Sequence, residues 1–233
     1  MKIAVISDIH ANLEALTTAL SYIDSLNIKK IICLGDLVGY GPNPNECVEL
    51  LTERNIPAVM GNHDYAVNNF SGRKYFNSLA LTAIRWTDAA LTNENKSFLN
   101  ALPFTMDLLG QTFVHASPLQ PEAFHYIFSL NEAVKNFHAF STPICFIGHT
   151  HSPGIFCEDL VTKTVSHGKK FIVNVGSIGQ PRSGDARLCF GIFETETFQF
   201  EFVKLPYDAE TTQKKISAAG LPKQLGDRLL AGV

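Results

Sequence analysis

"KIAVISDIHANLEAL", residues 2–16, joins an apolar run to a helical pattern through a short polar segment. The run "KIAVIS" is typical of a buried β-strand. Leu13, Leu16 and Leu20 then recur at helical spacing, and Asn12 stands where a helix N-cap is expected. The stretch therefore predicts a strand followed by a helix, which is the repeating unit of an α/β sheet.

The same alternation continues along the first quarter of the chain. "KKIICLGD" (29–36) predicts a second strand, and "GPNPNECVELLTER" (41–54) a second helix with Asn43 as its cap and Glu46 closing a capping box. "IPAVMGNHD" (56–64) predicts a third strand that ends in polar residues. Nearly continuous apolar strands alternating with helices indicate a sheet that is covered on both faces.

The middle of the chain combines further helices and strands. We predict one domain over residues 1–233 with a helical insertion at about 65–103, where apolar residues recur at helical spacing. "TFVHAS" (112–117) and "PICFIGHTH" (143–151) predict strands, and residues 130–140 look helical.

After residue 154 the pattern changes to strands joined by short polar or glycine-containing turns. "GIFCED", "KKFIVNVGS", "LCFGIFET" and "FQFEFVKL" predict a mostly antiparallel sheet. Residues 208–218 predict a closing helix, and the last dozen residues are weakly patterned.

Composition sets limits on function. The 233 residues carry a formal charge of −3, so nothing in the overall charge attracts nucleic acid or an anionic membrane. Five cysteines without a CxxC motif argue against a disulfide framework or a structural zinc site. No run reaches the ~18 apolar residues of a membrane span, and the first strand leaves no room for a signal peptide. We therefore expect a cytoplasmic protein with no membrane partner.

Polar residues follow each of five apolar runs. They are Asp8 and His10, Asp36, Asn62 with His63 and Asp64, His115, and His149 with His151. Ligands of α/β sheets bind at the carboxyl ends of the strands, where the loops diverge. Five such runs, holding five of the eight histidines, predict one site.

"FIGHTHSPG" (146–154) contributes two of these histidines. If the segment is extended, His149 and His151 point the same way and can face one point in space. Two surface histidines in a loop are the alternative.

The motifs "DIH", "GD", "GNHD", "VHASP" and "GHTH" resemble, in order and spacing, the signature of the calcineurin-like metallophosphoesterases. "NVGSIGQPRSGDAR" (174–187) resembles a small bacterial branch of phosphodiesterases and nucleotide hydrolases. The resemblance implies a four-layer α/β/β/α sandwich of two mixed sheets. It implies that one metal ion is held by Asp8, His10 and His151, and that the other is held by Asn62, His115 and His149. Asp36 is implied to bridge the two ions.

Such a pair of ions would explain how an acidic protein attracts phosphate. Two divalent ions about 3.5–4 Å apart can share a hydroxide that attacks phosphorus. Two carboxylates and that hydroxide would leave about one positive charge at the site. Nitrogen and oxygen donors without thiolate suit Mn, Fe, Zn, Ni or Co, and the sequence does not select among these ions.

Further residues are expected to contact the substrate. By resemblance His63 is a catalytic residue that stabilises the transition state or protonates the leaving group, work that suits a near-neutral pKa. Asp64 is expected to orient the loop backbone instead. Asn12 and Arg182 are candidate phosphate contacts, with helix capping and a polar loop as their alternatives.

The expected activity is hydrolysis of a phosphoric ester in a small molecule, including a nucleotide or a dinucleoside polyphosphate. The start of the insertion is expected to select the leaving group, through Tyr65, Asn68, Phe70, Arg73 and Lys74. The absence of a basic patch disfavours extended nucleic acid. The alternative is a catalytically silent scaffold of the same fold that binds a protein, although the complete motif set disfavours it. The oligomeric state stays open.

Overall fold

The computed structural model describes residues 1–233 with the exception of the Tyr75 side chain. The strands of this described backbone are β1 (Lys2–Ile6), β2 (Lys30–Cys33), β3 (Thr105–Leu108), β4 (Gln111–Val114), β5 (Ile144–Ile147), β6 (Gly154–Cys157), β7 (Phe171–Asn174), β8 (Leu188–Glu194) and β9 (Gln199–Leu205). The α-helices are α1 (Leu13–Ser25), α2 (Pro44–Glu53), α3 (Asn62–Asn68), α4 (Ser78–Ala90), α5 (Asn93–Asn100), α6 (Leu130–Val134), α7 (Ala209–Ala218) and α8 (Lys223–Ala231).

The strands form two mixed sheets. The first has the strand order β2-β1-β8-β9, and the second has the order β3-β4-β5-β7-β6. In the first sheet β1 and β2 are parallel, while β8 and β9 are antiparallel to their neighbours. In the second sheet β4, β5 and β7 are parallel, and the edge strands β3 and β6 are antiparallel. Each sheet therefore has parallel strands whose carboxyl ends can carry a site.

Apolar layers hold the sheets and helices together. Leu16 and Leu20 of α1 are buried against the outer face of the first sheet. Phe113, Phe146 and Phe193 fill the space between the two sheets. The outer face of the second sheet is covered by α6. This confirms the predicted four-layer α/β/β/α arrangement.

The first two helices show one correct and one wrong cap prediction. Asn12 caps α1, because its Oδ1 accepts from the Ala15 N–H at 3.2 Å. Asn43 makes no side-chain bond to the N-terminus of α2. Its Nδ2 donates instead to Oε1 of Glu46 at 2.8 Å, and its Oδ1 faces Nζ of Lys215 at 3.5 Å. The predicted capping box is therefore wrong.

The predicted third strand is reduced to a single bridge. Ala58 pairs with Cys33 at the end of β2, but Met60 donates to the Pro103 carbonyl at 2.8 Å and leaves the sheet. The chain enters α3 at Asn62, so "GNHD" opens a helix and does not follow a strand. The helices α3, α4 and α5 lie within and just before the segment predicted as helical.

The second half differs from the prediction in its pairing. β6 and β7 belong to the second sheet, whereas β8 and β9 belong to the first. The four strands are thus split between the two sheets and do not form one antiparallel sheet. The exposed edge strand β3 was not predicted.

The C-terminal segment is helical. α7 confirms the predicted closing helix, but α8 lies in the stretch that was predicted to be weakly patterned. Leu225 and Leu229 of α8 are buried against Ile216 of α7. No helix in the described part of the chain has the length and apolar character that crossing a bilayer requires.

Candidate metal centre

The predicted ligands converge at the carboxyl ends of strands from both sheets. Asp8 and His10 follow β1, and Asp36 follows β2 in the first sheet. His115 follows β4, and the pair His149 and His151 follows β5 in the second sheet. The site therefore lies where the two sheets meet, and both sheets contribute to it.

Four of these side chains form a first cluster: Asp8, His10, Asp36 and His151. The two Nε2 atoms of His10 and His151 are 3.0 Å apart. Oδ1 of Asp8 lies 3.2 Å from Nε2 of His151, and Oδ2 of Asp36 lies 3.6 Å from Nε2 of His10. All four side chains are buried, so their donor atoms face one another and not solvent.

A second cluster contains Asp36, His115 and His149. Nε2 of His115 lies 3.4 Å from Oδ2 of Asp36 and 3.1 Å from Nδ1 of His149. Oδ1 of Asn62 is 3.2 Å from the same nitrogen of His115. Oδ2 of Asp36 thus faces both clusters, which is the position that the bridging role requires.

The backbone orients three imidazole rings toward the clusters. Nδ1 of His10 lies 3.2 Å from the Val38 carbonyl, Nδ1 of His115 lies 2.8 Å from that of Leu34, and Nδ1 of His151 lies 2.5 Å from that of Gln180. Since a carbonyl only accepts, each Nδ1 carries a proton and donates it. The Nε2 atoms are left to face the clusters, as in metal-ligating histidines.

The protonation of these groups fits a site for cations. Burial opposes ionisation of Asp8 and Asp36, but neighbouring histidines hold the pKa of both carboxyls below the usual range. Burial lowers the pKa of His10 and lowers that of His149 to about 3. Burial also disfavours the His115 cation, yet Asp36 raises its pKa to about 9. Two buried carboxylates thus attract positive charge, which a proton on His115 supplies in part.

A buried polar atom without a partner supports the same fit. Among the described atoms, Oδ1 of Asp8 is buried and has no hydrogen-bond partner. Leaving such an atom buried and unpaired is costly unless a ligand meets it. The nitrogen and oxygen donors of both clusters suit divalent transition metals.

The ligand loops have strained backbones. Asp8, His10, Asp36, His149 and His151 all have positive φ values, between 50° and 66°. This left-handed region is uncommon for residues other than glycine, and such strain concentrates at functional sites. "GHTH" is therefore not extended, and the alternation that placed both histidines on one side is wrong. They reach neighbouring clusters, as the resemblance implied.

Glycine lets two of these loops approach the carboxylates. A Cβ at Gly148 would lie 2.4 Å from Oδ2 of Asp8, and one at Gly61 would lie 2.1 Å from Oδ1 of Asp36. The absence of a side chain at each glycine lets an N–H group of the residues that follow reach the carboxylate. The His149 N–H donates to Asp8 at 3.0 Å, and the His63 N–H donates to Asp36 at 2.8 Å.

Asp64 holds the loop that carries Asp36. Its Oδ1 accepts from the N–H groups of Leu37 at 2.9 Å and Val38 at 3.2 Å, and its Oδ2 accepts from that of Gly61 at 3.1 Å. The predicted backbone role of Asp64 is confirmed, although the residue lies in helix α3 and not in extended chain.

We expect Asp64→Ala to lower the free energy of unfolding by about 2–3 kcal/mol, because it leaves three buried N–H groups without an acceptor. Asp64→Asn keeps one acceptor oxygen and should cost about half as much. Urea denaturation followed by circular dichroism measures both. Equal midpoints for Asp64→Ala and the unmodified protein would contradict the role.

His63 lies beside the first cluster without joining it. Its ring centroid is 4.8 Å from that of His10, 4.4 Å from that of Tyr40 and 4.7 Å from that of Phe76. Burial and the positive charge of Arg182 lower the pKa of His63 to about 4, although Asp36 opposes the shift. His63 is therefore a neutral imidazole near pH 7, and its pKa lies below the near-neutral range that suits a proton donor.

The two candidate phosphate contacts have different surroundings. Asn12 is buried, and its Nδ2 donates to the Gly179 carbonyl and to the Tyr207 hydroxyl. Its Oδ1 accepts from the Ala15 N–H, so these bonds fit the capping alternative. Arg182 is half-buried near Tyr40, with its guanidinium 5.7 Å from that ring, and it donates to Gln180 at 2.7 Å. A phosphate contact by Arg182 stays a prediction.

A cavity of about 450 Å³ adjoins His63, Asn62 and His149. Tyr65, which the sequence analysis names as a selector of the leaving group, lines this cavity. The aromatic residues Phe124 and Tyr126 also line it and were missed. The sequence feature that could have identified them is the run "FHYIF" (124–128), which is unusually aromatic for a loop. His125 lines the cavity as well and is exposed.

Other residues named from the sequence have separate partners. At the start of the insertion Asn68 donates to the Lys96 carbonyl, Phe70 is 81% exposed, and Arg73 pairs with Asp88. These three do not line the cavity.

Comparison with known proteins agrees with this geometry. The sequence matches the calcineurin-like phosphoesterase superfamily domain over residues 1–198. It is 42% identical over 241 residues to an uncharacterized protein of Methanocaldococcus jannaschii, covering 99% of this chain and 98% of the relative. A crystal structure of a metallophosphoesterase from Sphaerobacter thermophilus matches with 41% identity, coverage of 100% and 99%, and a TM-score of 0.88. A hypothetical protein of Pyrococcus horikoshii shares the fold alone, with 22% identity, coverage of 100% and 98%, and a TM-score of 0.86.

Proposed function

Because the chain belongs to the calcineurin-like phosphoesterase superfamily, we propose that it is a hydrolase of phosphoric esters that works with two divalent metal ions. The observation that carries the proposal is the pair of buried clusters that share Asp36. Asp8, His10 and His151 would hold one ion together with Asp36. Asn62, His115 and His149 would hold the other. Mn, Fe, Zn, Ni and Co all suit these donors.

A bound ion pair supplies polarisation of the phosphoryl oxygens and activation of water. The chain supplies the geometry around it. The strained loops fix the ligands in advance, and the burial of both clusters keeps bulk water away. His63, held by its ring contacts and by its N–H bond to Asp36, would donate a hydrogen bond to the reacting phosphoryl group.

The proposed substrate is a small phosphorylated molecule, with nucleotides and dinucleoside polyphosphates as candidates. A cavity of about 450 Å³ beside the second cluster has the size of a small-molecule site. The formal charge of −3 offers no basic surface for extended nucleic acid.

The test uses protein stripped of metal with a chelator. Mn²⁺, Zn²⁺, Fe²⁺, Ni²⁺ or Mg²⁺ is added back singly, and hydrolysis of bis-p-nitrophenyl phosphate, p-nitrophenyl phosphate and diadenosine polyphosphates is compared. We expect turnover with transition metals and none in the stripped protein. Inactivity with every ion on every substrate would overturn the proposal and leave the scaffold alternative.

Metal addition is also expected to stabilise the fold, because a ligand that binds only the folded chain shifts the unfolding equilibrium. At a free concentration 100 times Kd, one ion contributes about 2.7 kcal/mol, which corresponds to a rise in Tm of about 5–10 °C for a chain of this size. Differential scanning calorimetry of stripped and reloaded protein measures the rise. An unchanged Tm at saturating Mn²⁺ and Zn²⁺ would show that the clusters bind neither ion.

A further inference from the structure

The cavity beside the second cluster has a predominantly aromatic wall. The rings that line it, besides the imidazoles of His63, His125 and His149, are those of Tyr40, Tyr65, Phe76, Phe124 and Tyr126. Tyr65 and Phe124 are 6.0 Å apart between ring centroids, at an interplanar angle of 48°. Aromatic groups pair with one another at centroid distances of 4.5–7 Å, so a wall of this kind favours a flat aromatic ligand.

Two of these rings connect the cavity to the metal ligands. The Tyr126 ring stacks on His149 with a centroid distance of 3.9 Å and an angle of 17°. The Phe124 ring meets His115 edge-on at 6.0 Å. A group in the cavity is therefore close to phosphorus held at the centre, and both can belong to one substrate.

The backbone of this wall is strained in a way that its local sequence does not explain. Phe124 has a φ of 51° and Gln120 a φ of 55°, both in the left-handed region. A bulky side chain rarely adopts this conformation, and where it persists the surrounding fold holds it. The fold therefore holds Phe124 at a fixed position in the cavity wall, in spite of the strain.

The charge of the lining fits an uncharged ligand group. Glu122 and His125 stand at its exposed part, and the described lining contains no lysine or arginine. A further phosphate in the cavity would meet a carboxylate and no cation. The uncharged ring of a substrate would not be repelled by this carboxylate.

We propose that this cavity binds a flat, uncharged aromatic ring carried by the phosphoric ester, as in a nucleoside base or an aryl group, and disfavours saturated rings of the same size. The inference rests on the proposed function, since ring and phosphorus belong to one substrate. Phe124 is its specificity-determining residue, because it contacts both the cavity and the ring of His115.

The test compares two non-hydrolysable ligands of equal charge and similar size, phenylphosphonate and cyclohexylphosphonate. Isothermal titration calorimetry on the metal-loaded protein should give an affinity about fivefold higher for phenylphosphonate, the ratio expected of one aromatic pair. Adenosine monophosphate against ribose 5-phosphate forms the second comparison. A preference for adenosine monophosphate assigns a nucleoside base, and a preference confined to phenylphosphonate assigns an aryl group.

Two variants of Phe124 and one control locate the effect. Phe124→Leu keeps an apolar side chain but removes the ring, and Phe124→Ala removes both; each should bring the affinity ratio close to one. Phe70→Ala is the matched control, because Phe70 is 81% exposed and does not line the cavity, and it should keep the full ratio.

The outcomes separate this inference from the proposed function. Equal binding of both phosphonates by a protein that hydrolyses bis-p-nitrophenyl phosphate would overturn the aromatic site and leave the hydrolase intact. An aromatic preference in a protein that hydrolyses no ester would overturn the proposed hydrolase and keep the aromatic site. A ratio unchanged in both Phe124 variants would remove Phe124 from the site.

Discussion

Replacing Asp36 with asparagine is expected to abolish phosphoesterase activity and to weaken both metal sites together. Oδ2 of Asp36 lies 3.6 Å from Nε2 of His10 and 3.4 Å from Nε2 of His115, so it faces both clusters. Asparagine removes its negative charge and places an amide where a bridging oxygen is needed. We expect metal affinity to fall by more than about 100-fold, which exceeds the effect of losing a supporting partner of a ligand.

The fold should survive this substitution. Oδ1 of Asp36 accepts the His63 N–H at 2.8 Å, and the amide oxygen of asparagine can keep that bond. The experiment measures metal content after dialysis by mass spectrometry, together with hydrolysis of bis-p-nitrophenyl phosphate. Asp107→Asn, on the edge strand β3, is a remote control and should keep two ions per chain. A variant at Asp36 that retained both ions would contradict the shared site.

The ligands of this site follow strands that can be recognised in the sequence, so the site could be predicted from the sequence. The strands β1, β2 and β5 consist almost entirely of buried apolar residues, and β4 ends in the buried pair Phe113 and Val114, so their hydrophobic pattern is recognisable in the sequence. The polar residues that follow them had to lie at the strand ends. Their convergence then follows from the parallel pairing of β1 with β2 and of β4 with β5.

The errors arose where local patterns carry little information. β3 is short and mostly exposed, so it has no strong hydrophobic signal. In α8, Leu225 and Leu229 do recur at helical spacing and pack with Ile216 of α7, a signal that the prediction of a weakly patterned end overlooked. The left-handed backbone at His149 and His151 is uncommon for residues other than glycine and is held by contacts with other segments. The His149 N–H bond to Asp8, across 141 positions of sequence, is one such contact.

The low pKa of His63 also depends on the folded structure. It results from complete burial and from Arg182, which is far away in sequence. The consequence is chemical: a neutral imidazole can donate a hydrogen bond to a phosphoryl oxygen but is a weak proton donor. Bound cations nearby would disfavour its protonated form further. We therefore infer stabilisation of the transition state, and not protonation of the leaving group, as the role of His63.

Replacing His63 with alanine should accordingly lower kcat by about 10²–10³-fold, the loss expected for one hydrogen-bond donor to the transition state. Both metal ions should remain bound, because His63 lies outside both clusters. The loss should be nearly equal for bis-p-nitrophenyl phosphate and diphenyl phosphate, two diesters of similar shape of which the second has the poorer leaving group. If His63 were a proton donor, diphenyl phosphate would depend on it more strongly. A loss of kcat several times larger on that substrate would therefore assign proton transfer to His63.

His63→Gln keeps a neutral N–H donor and should recover part of kcat, whereas replacement of the exposed His138 by alanine should not change kcat. Metal content measured on each variant separates a catalytic defect from loss of the ions, and full activity of His63→Ala with two ions bound would exclude any catalytic role.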